Sequence, residues 1–80
     1  MTAEKQIYNA RYRRVVAVLK AARKKAGLTQ ANVADKMGVN RTWVAKVEGC
    51  ELRLDLLHFV MLCQLYRVQA RDIIQEMEEE

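Results

Sequence analysis

The chain contains no proline, and only three of its 80 residues are glycine. Sheet-rich and loop-rich folds draw on both, because turns use proline's fixed φ and glycine's freedom. Their scarcity favours helices joined by short turns. Cysteine is scarce as well, with Cys50 and Cys63 alone. The opening MTAEKQIYNARYRR has no apolar signal core, so free thiols in a cytoplasmic setting are expected. The one histidine, His58, does not sit at zinc-ligand spacing from the cysteines, and no metal is expected. No run approaches the ~18 apolar residues of a membrane span. A lone histidine, no glycine-rich phosphate loop and no clustered carboxylates outside the terminal EMEEE leave nothing to assemble into an active site. An enzyme is therefore rejected, and no cofactor is expected.

What is present is apolar, helix-forming and unevenly charged. Eighty residues bound the chain at one domain. A domain of this size buries roughly 60% of its unfolded surface and holds one core. Ala, Leu, Val, Lys, Arg, Gln and Glu dominate, which is an all-α composition. The formal charge is +4. Residues 1–47 carry eleven Lys or Arg against Glu4 and Asp35, whereas residues 48–80 carry three Arg against eight acids. A basic half joined to an acidic half suits a polyanionic partner, although a solvated surface has the same look.

Periodicity and punctuation predict five helices, over residues 5–26, 30–37, 41–48, 55–66 and 70–77, with an acidic tail at 78–80. The first carries a stripe of Tyr12, Val15, Val16, Leu19, Ala22 and Ala26, and Gly27 ends it. Thr29 caps the second, which buries Val33, Ala34 and Met37 and stops at Gly38. Asn40 caps the third. Asp55 caps or begins the fourth, LLHFVMLCQLY, whose apolar residues wrap beyond one stripe. That helix is either central or meets a partner. The fifth places Ile73, Ile74 and Met77 on one side.

The break at Gly-Val-Asn between two eight-residue helices has a specific geometry behind it. In a helix-turn-helix two short helices cross at roughly 90–120° over a three- or four-residue turn. Counted from Gln30, the fifth position must be small, the ninth tolerates positive φ best as glycine, and the fifteenth and eighteenth must be apolar. Those positions hold Ala34, Gly38, Val44 and Val47. The opposite face of the second of these helices, with Arg41, Thr42, Trp43 and Lys46, is left free of packing.

Three stretches, VLKAARKKAGLTQANVADKMGV, NRTWVAKVEG and LDLLHFVMLCQLYRV, together resemble the lambda-repressor/Cro (XRE-type) helix-turn-helix family over residues 12–75. The resemblance implies a compact five-helix domain that binds operator DNA as a symmetric dimer. It implies that Gln30 bonds a phosphate, that Arg41, Thr42 and Lys46 touch base edges, and that Arg23 and Glu48 form a charged pair tying helix 1 to the end of the recognition helix. Arg53 falls where the family's next loop meets the DNA backbone. This chain departs from the family at Cys50, where relatives often have glycine, at Leu54-Asp55, where many have proline, and at His58, where glutamate is common. The first departure leaves the exit from helix 3 open.

Recognition would divide between positioning and reading groups. Thr29, Gln30, Asn40 and Arg53 are candidates for phosphate, with the first N–H groups of helix 2. Lys20, Lys24 and Lys36 add long-range attraction or are simply solvated. Arg41 is the first choice for a base, since its fork matches guanine O6 and N7. Thr42 and Lys46 follow. Trp43 either stacks on sugar and thymine methyl or covers the seam between helices 3 and 4, and its bulk favours partial packing. A dimer needs a self-complementary face, for which Leu52, Tyr66, Ile73, Ile74 and Met77 are candidates, unless they close the monomer core. The function expected is a transcriptional repressor on an inverted-repeat operator. The alternative is a protein-interaction module of a phage or toxin–antitoxin circuit, controlled by a partner such as an antirepressor.

Overall fold

A computed structural model describes residues 9–78, and among these it contains five helices and no strand. They are α1 (Ala10–Lys25), α2 (Gln30–Met37), α3 (Arg41–Glu48), α4 (Leu56–Tyr66) and α5 (Ala70–Glu78). The all-α expectation holds. Residues 5–8 of the expected first helix, and Glu79 and Glu80 of the tail, lie outside the described residues.

Side chains written into the sequence start each of the first four helices. Asn9 Oδ1 accepts from the backbone N–H of Arg11 at 2.8 Å. Asp55 is a cap and not the first helical residue, since its Oδ1 accepts from the N–H of His58 at 2.8 Å. The His58 ring Nδ1 also lies 2.7 Å from Asp55 Oδ2, and the backbone and ring bonds together hold the Asp55 carboxyl below the usual carboxylate range. At the far end of α1, Gly27 takes φ +76°, and Leu28 N–H closes on Arg23 O at 3.1 Å.

The core gathers Val15 and Leu19 of α1, Val33 and Ala34 of α2, Val44 of α3, Phe59, Leu62, Cys63 and Tyr66 of α4, and Ile73 of α5. α1 packs most extensively on α5 and also meets α3 and α4. Burying one such aliphatic side chain is worth about 1.5–3 kcal/mol. The Cys63 thiol is inside this core, and burial pushes it up; Cys50 is buried too, and neither forms a disulfide. Tyr12 ties α1 to the loop before α4, its hydroxyl oxygen accepting from Leu54 N–H at 2.9 Å.

Two expectations for a dimer face are corrected here. Tyr66 and Ile73 are 6% and 4% exposed, so they close the monomer core and cannot line a surface. Tyr66 lies deep enough that burial and the nearby Glu48 charge push its phenol up to about 12. The exposed residues are their neighbours. Leu52, Ile74 and Met77 are each more than a third exposed, and at the start of α4 Leu56 is 75% and Leu57 66% exposed. α4 buries a stripe of Phe59, Leu62, Cys63 and Tyr66 and leaves Leu56, Leu57 and Val60 exposed. Beside these leucines runs a groove of about 300 Å³ between α1, α4 and α5, lined by Tyr12, Val15, Phe59, Leu56, Ile74 and Met77.

Candidate nucleic-acid interface

The unit that carries α3 is built from α2 outward. Thr29 holds extended backbone, and its hydroxyl oxygen accepts from Asn32 N–H at 3.0 Å. Asn32 Oδ1 accepts in turn from Thr29 N–H at 3.0 Å. Two orphan donors of the helix start are thereby satisfied in one reciprocal cap. Asn32 was not singled out by sequence, because the usual cue is Glu or Gln at that position. α2 ends at Gly38 in the left-handed conformation, φ +71°, where Val39 N–H reaches Ala34 O at 3.0 Å. A Cβ built on Gly38 meets nothing within 4 Å, so the site requires glycine's conformation and not its small size. Asn40 then caps α3, its Oδ1 accepting from Trp43 N–H at 2.8 Å.

α3 is anchored by Val44 and Val47, both nearly inaccessible, while Arg41, Thr42 and Lys46 project into solvent. Trp43 is half-buried. Its ring lies 4.9 Å from that of His58, tilted by 56°. It therefore sits on the seam between α3 and α4, with His58 in turn held by Asp55 Oδ2 at 2.7 Å. Of the two places open to it, base stacking or the seam, this is the packed one. The exit from α3 is set by Cys50, which takes φ +57°, while Gly49 stays at −87°. The backbone turn is kept at a position where glycine would be strain-free.

Beneath α3 lies the one charged pair buried among the described residues. Arg23 Nε donates to Glu48 Oε2 at 2.7 Å and its Nη2 to Oε1 at 3.1 Å, while Nη1 donates to Leu28 O at 2.8 Å. Both side chains are 9% exposed. The Glu48 bonds raise the Arg23 pKa against the cost of burial, so the guanidinium stays charged. Gln30 joins this pair to the surface. Its Nε2 donates to Glu48 Oε1 at 3.0 Å, and its Oε1 accepts from Arg41 Nη1 at 3.3 Å.

Thr29, Gln30, Asn40 and Arg41 are thus brought together where α2 and α3 begin. Lys20 is exposed on α1, and Lys36 lines a different cleft with Lys25 and Arg67. Arg53 flanks the apolar groove beside Asp55.

Residues 14–73 match a helix-turn-helix domain family. An XRE-family like protein from Pseudomonas syringae pv. tomato str. DC3000 superposes with a TM-score of 0.81 at 33% identity, covering 98% of this chain and 95% of that one. The chain belongs to the XRE-type helix-turn-helix family. A comparison with curated proteins gave no match. Within this XRE-type chain, the departures at Cys50, Leu54-Asp55 and His58 all fall after α3 and leave the α2–α3 unit intact. Among the described residues, no helix is long and apolar enough to cross a membrane, and no cluster of three metal-ligating side chains occurs.

Proposed function

We propose that this protein is a sequence-specific repressor that occupies an inverted-repeat operator in double-stranded DNA as a homodimer, reading bases through α3. Its family makes it a DNA-binding regulator. Repression, dimerisation and the division of labour among residues are the further reading. The observation that carries it is the exposure of Arg41, Thr42 and Lys46 on a helix whose other face is locked by Val44 and Val47.

In this reading Arg41 donates two hydrogen bonds to guanine O6 and N7, Thr42 contacts a neighbouring base or thymine methyl, and Lys46 reaches a base or phosphate one turn on. The Thr29 hydroxyl, the Asn40 amide, the second N–H of Gln30 and the backbone N–H groups starting α2 hold phosphates. Arg53, Lys20 and Lys36 add screened attraction. One helix covers a handful of base pairs, too few among roughly 10⁶–10⁹ competing genomic sites. A two-fold pair with half-sites about 34 Å apart doubles the reading. The exposed Leu52, Leu56, Leu57, Ile74 and Met77 supply the apolar face for a second copy. Their exposure equally favours a second reading, in which a protein antagonist such as an antirepressor takes that face.

Salt titration of binding tests the proposal. The expected result is a linear fall of log K with log salt on a selected duplex, with the slope reduced by about one in Lys20→Ala. Binding that ignores salt would count against it. Sedimentation of the free protein separates the two readings, since a monomer at micromolar concentration that still binds single half-sites favours the antagonist.

A further inference from the structure

The ion pair under α3 extends further than a fastening needs. Glu48 Oε1 accepts from both Arg23 Nη2 and Gln30 Nε2. An ionised carboxylate can only accept, so the Gln30 amide must turn its NH₂ toward Glu48. Its oxygen then points the other way, at Arg41 Nη1. A guanidinium can only donate, so Arg41 requires the same setting from the opposite side. The amide is specified at both ends, and a chain of hydrogen bonds runs from Arg23 through Glu48 and Gln30 to Arg41.

We propose that Glu48, acting through Gln30, is a positioning residue for Arg41, so that the Arg23–Glu48 pair sets base selectivity as well as holding α1 to α3. This rests on the reading of α3 as the helix that meets bases. Arg41 has five N–H donors, of which the bond to Gln30 uses one. The others suffice for both bonds to a guanine. Arginine otherwise samples many rotamers, and a free guanidinium satisfies itself equally well on a phosphate. Holding the guanidinium through Nη1 favours the base edge. Gln30 as a plain phosphate ligand would instead strengthen every sequence alike.

Two variants separate these roles. Gln30→Leu cuts the chain but leaves the Arg23–Glu48 pair whole. Arg23→Met with Glu48→Met removes both charges together, which avoids stranding either one in the interior. In the free protein, the expected result is faster rotational averaging of the Arg41 guanidinium in ¹⁵N NMR for both variants. An unchanged signal would overturn the restraint, whatever the protein does to DNA.

In DNA selection, both variants should lose about tenfold of the preference at the base pair read by Arg41 and keep the other positions. In an Arg41→Ala background, Gln30→Leu should have no further effect at that position. Uniform weakening across all sequences, equal in both backgrounds, would overturn the proposal and leave Gln30 a phosphate ligand. Full selectivity in the double methionine variant would remove Glu48 from it. A wild-type protein that selects no sequence at all would defeat the DNA reading and the selectivity claim together, leaving the NMR result to stand on the free protein.

Discussion

The α2–α3 unit and the α4–α5 face obey opposite rules. In α2 and α3, apolar residues point inward and polar ones outward, and both ends of α2 and the start of α3 are closed by a side chain or glycine suited to them. Thr29 and Asn32, Gly38 and Asn40 perform those closures in sequence. In α4 and α5 the core takes one stripe, and leucine and isoleucine remain outside. An outer face freed of packing and furnished with Arg, Thr and Lys suits hydrogen-bonded recognition. An outer face left apolar suits burial against another molecule. The proposed function gives these two regions different tasks, and substitutions in each should fail differently.

The largest expected effect is in the first region. Glu48→Ala strands the Arg23 guanidinium in the interior and should cost about 3–5 kcal/mol in urea denaturation. A loss below 1 kcal/mol would mean that water reaches the pair. The mirror experiment is Leu57→Ser, which should leave monomer stability within about 0.5 kcal/mol yet weaken self-association at least tenfold by sedimentation. A fall in thermal stability without a change in mass would place Leu57 in the fold and erase the contrast. Gly38→Ala should cost about 1–2 kcal/mol by imposing a Cβ on a left-handed residue, with Gly38→Asn costing less. Equal penalties for the two would point to crowding, which the open surroundings of Gly38 argue against. The smallest effect belongs to Arg67, an exposed residue at φ +59° that ends α4. Arg67→Gly should stabilise by about 0.5 kcal/mol, the relief of strain being partly offset by chain entropy.

Local rules made the first region legible before the second. Caps and glycines act within a few residues, so the sequence places α2 at 30–37 and α3 at 41–48, and the helices span Gln30–Met37 and Arg41–Glu48. The inward roles of Ala34, Val44 and Val47, and the left-handed turn at Gly38, follow from spacing alone. Periodicity also puts Ile73, Ile74 and Met77 on one side of α5, but it does not say which of two adjacent isoleucines meets the core. Ile73 is buried and Ile74 is not, because α5 is rotated by its packing on α1, a long-range contact. The bridge that Gln30 makes was hidden for the same reason. Its two partners, Glu48 and Arg41, come from opposite ends of another helix, and their convergence on one amide exists only in three dimensions. Cys50 teaches the converse. A residue that looks wrong for a left-handed turn adopts it here, with the N–H groups of Glu51 and Leu52 closing on Lys46 O.

The most direct test of α3 as the reading element is DNA selection by the wild type and Arg41→Ala at one fixed salt concentration. The account predicts an inverted-repeat consensus for the wild type, with half-site centres about 34 Å apart, and the loss in Arg41→Ala of preference at one base pair in each half, worth about 1–3 kcal/mol. A flat profile for the wild type, or the same consensus from both proteins, would contradict it.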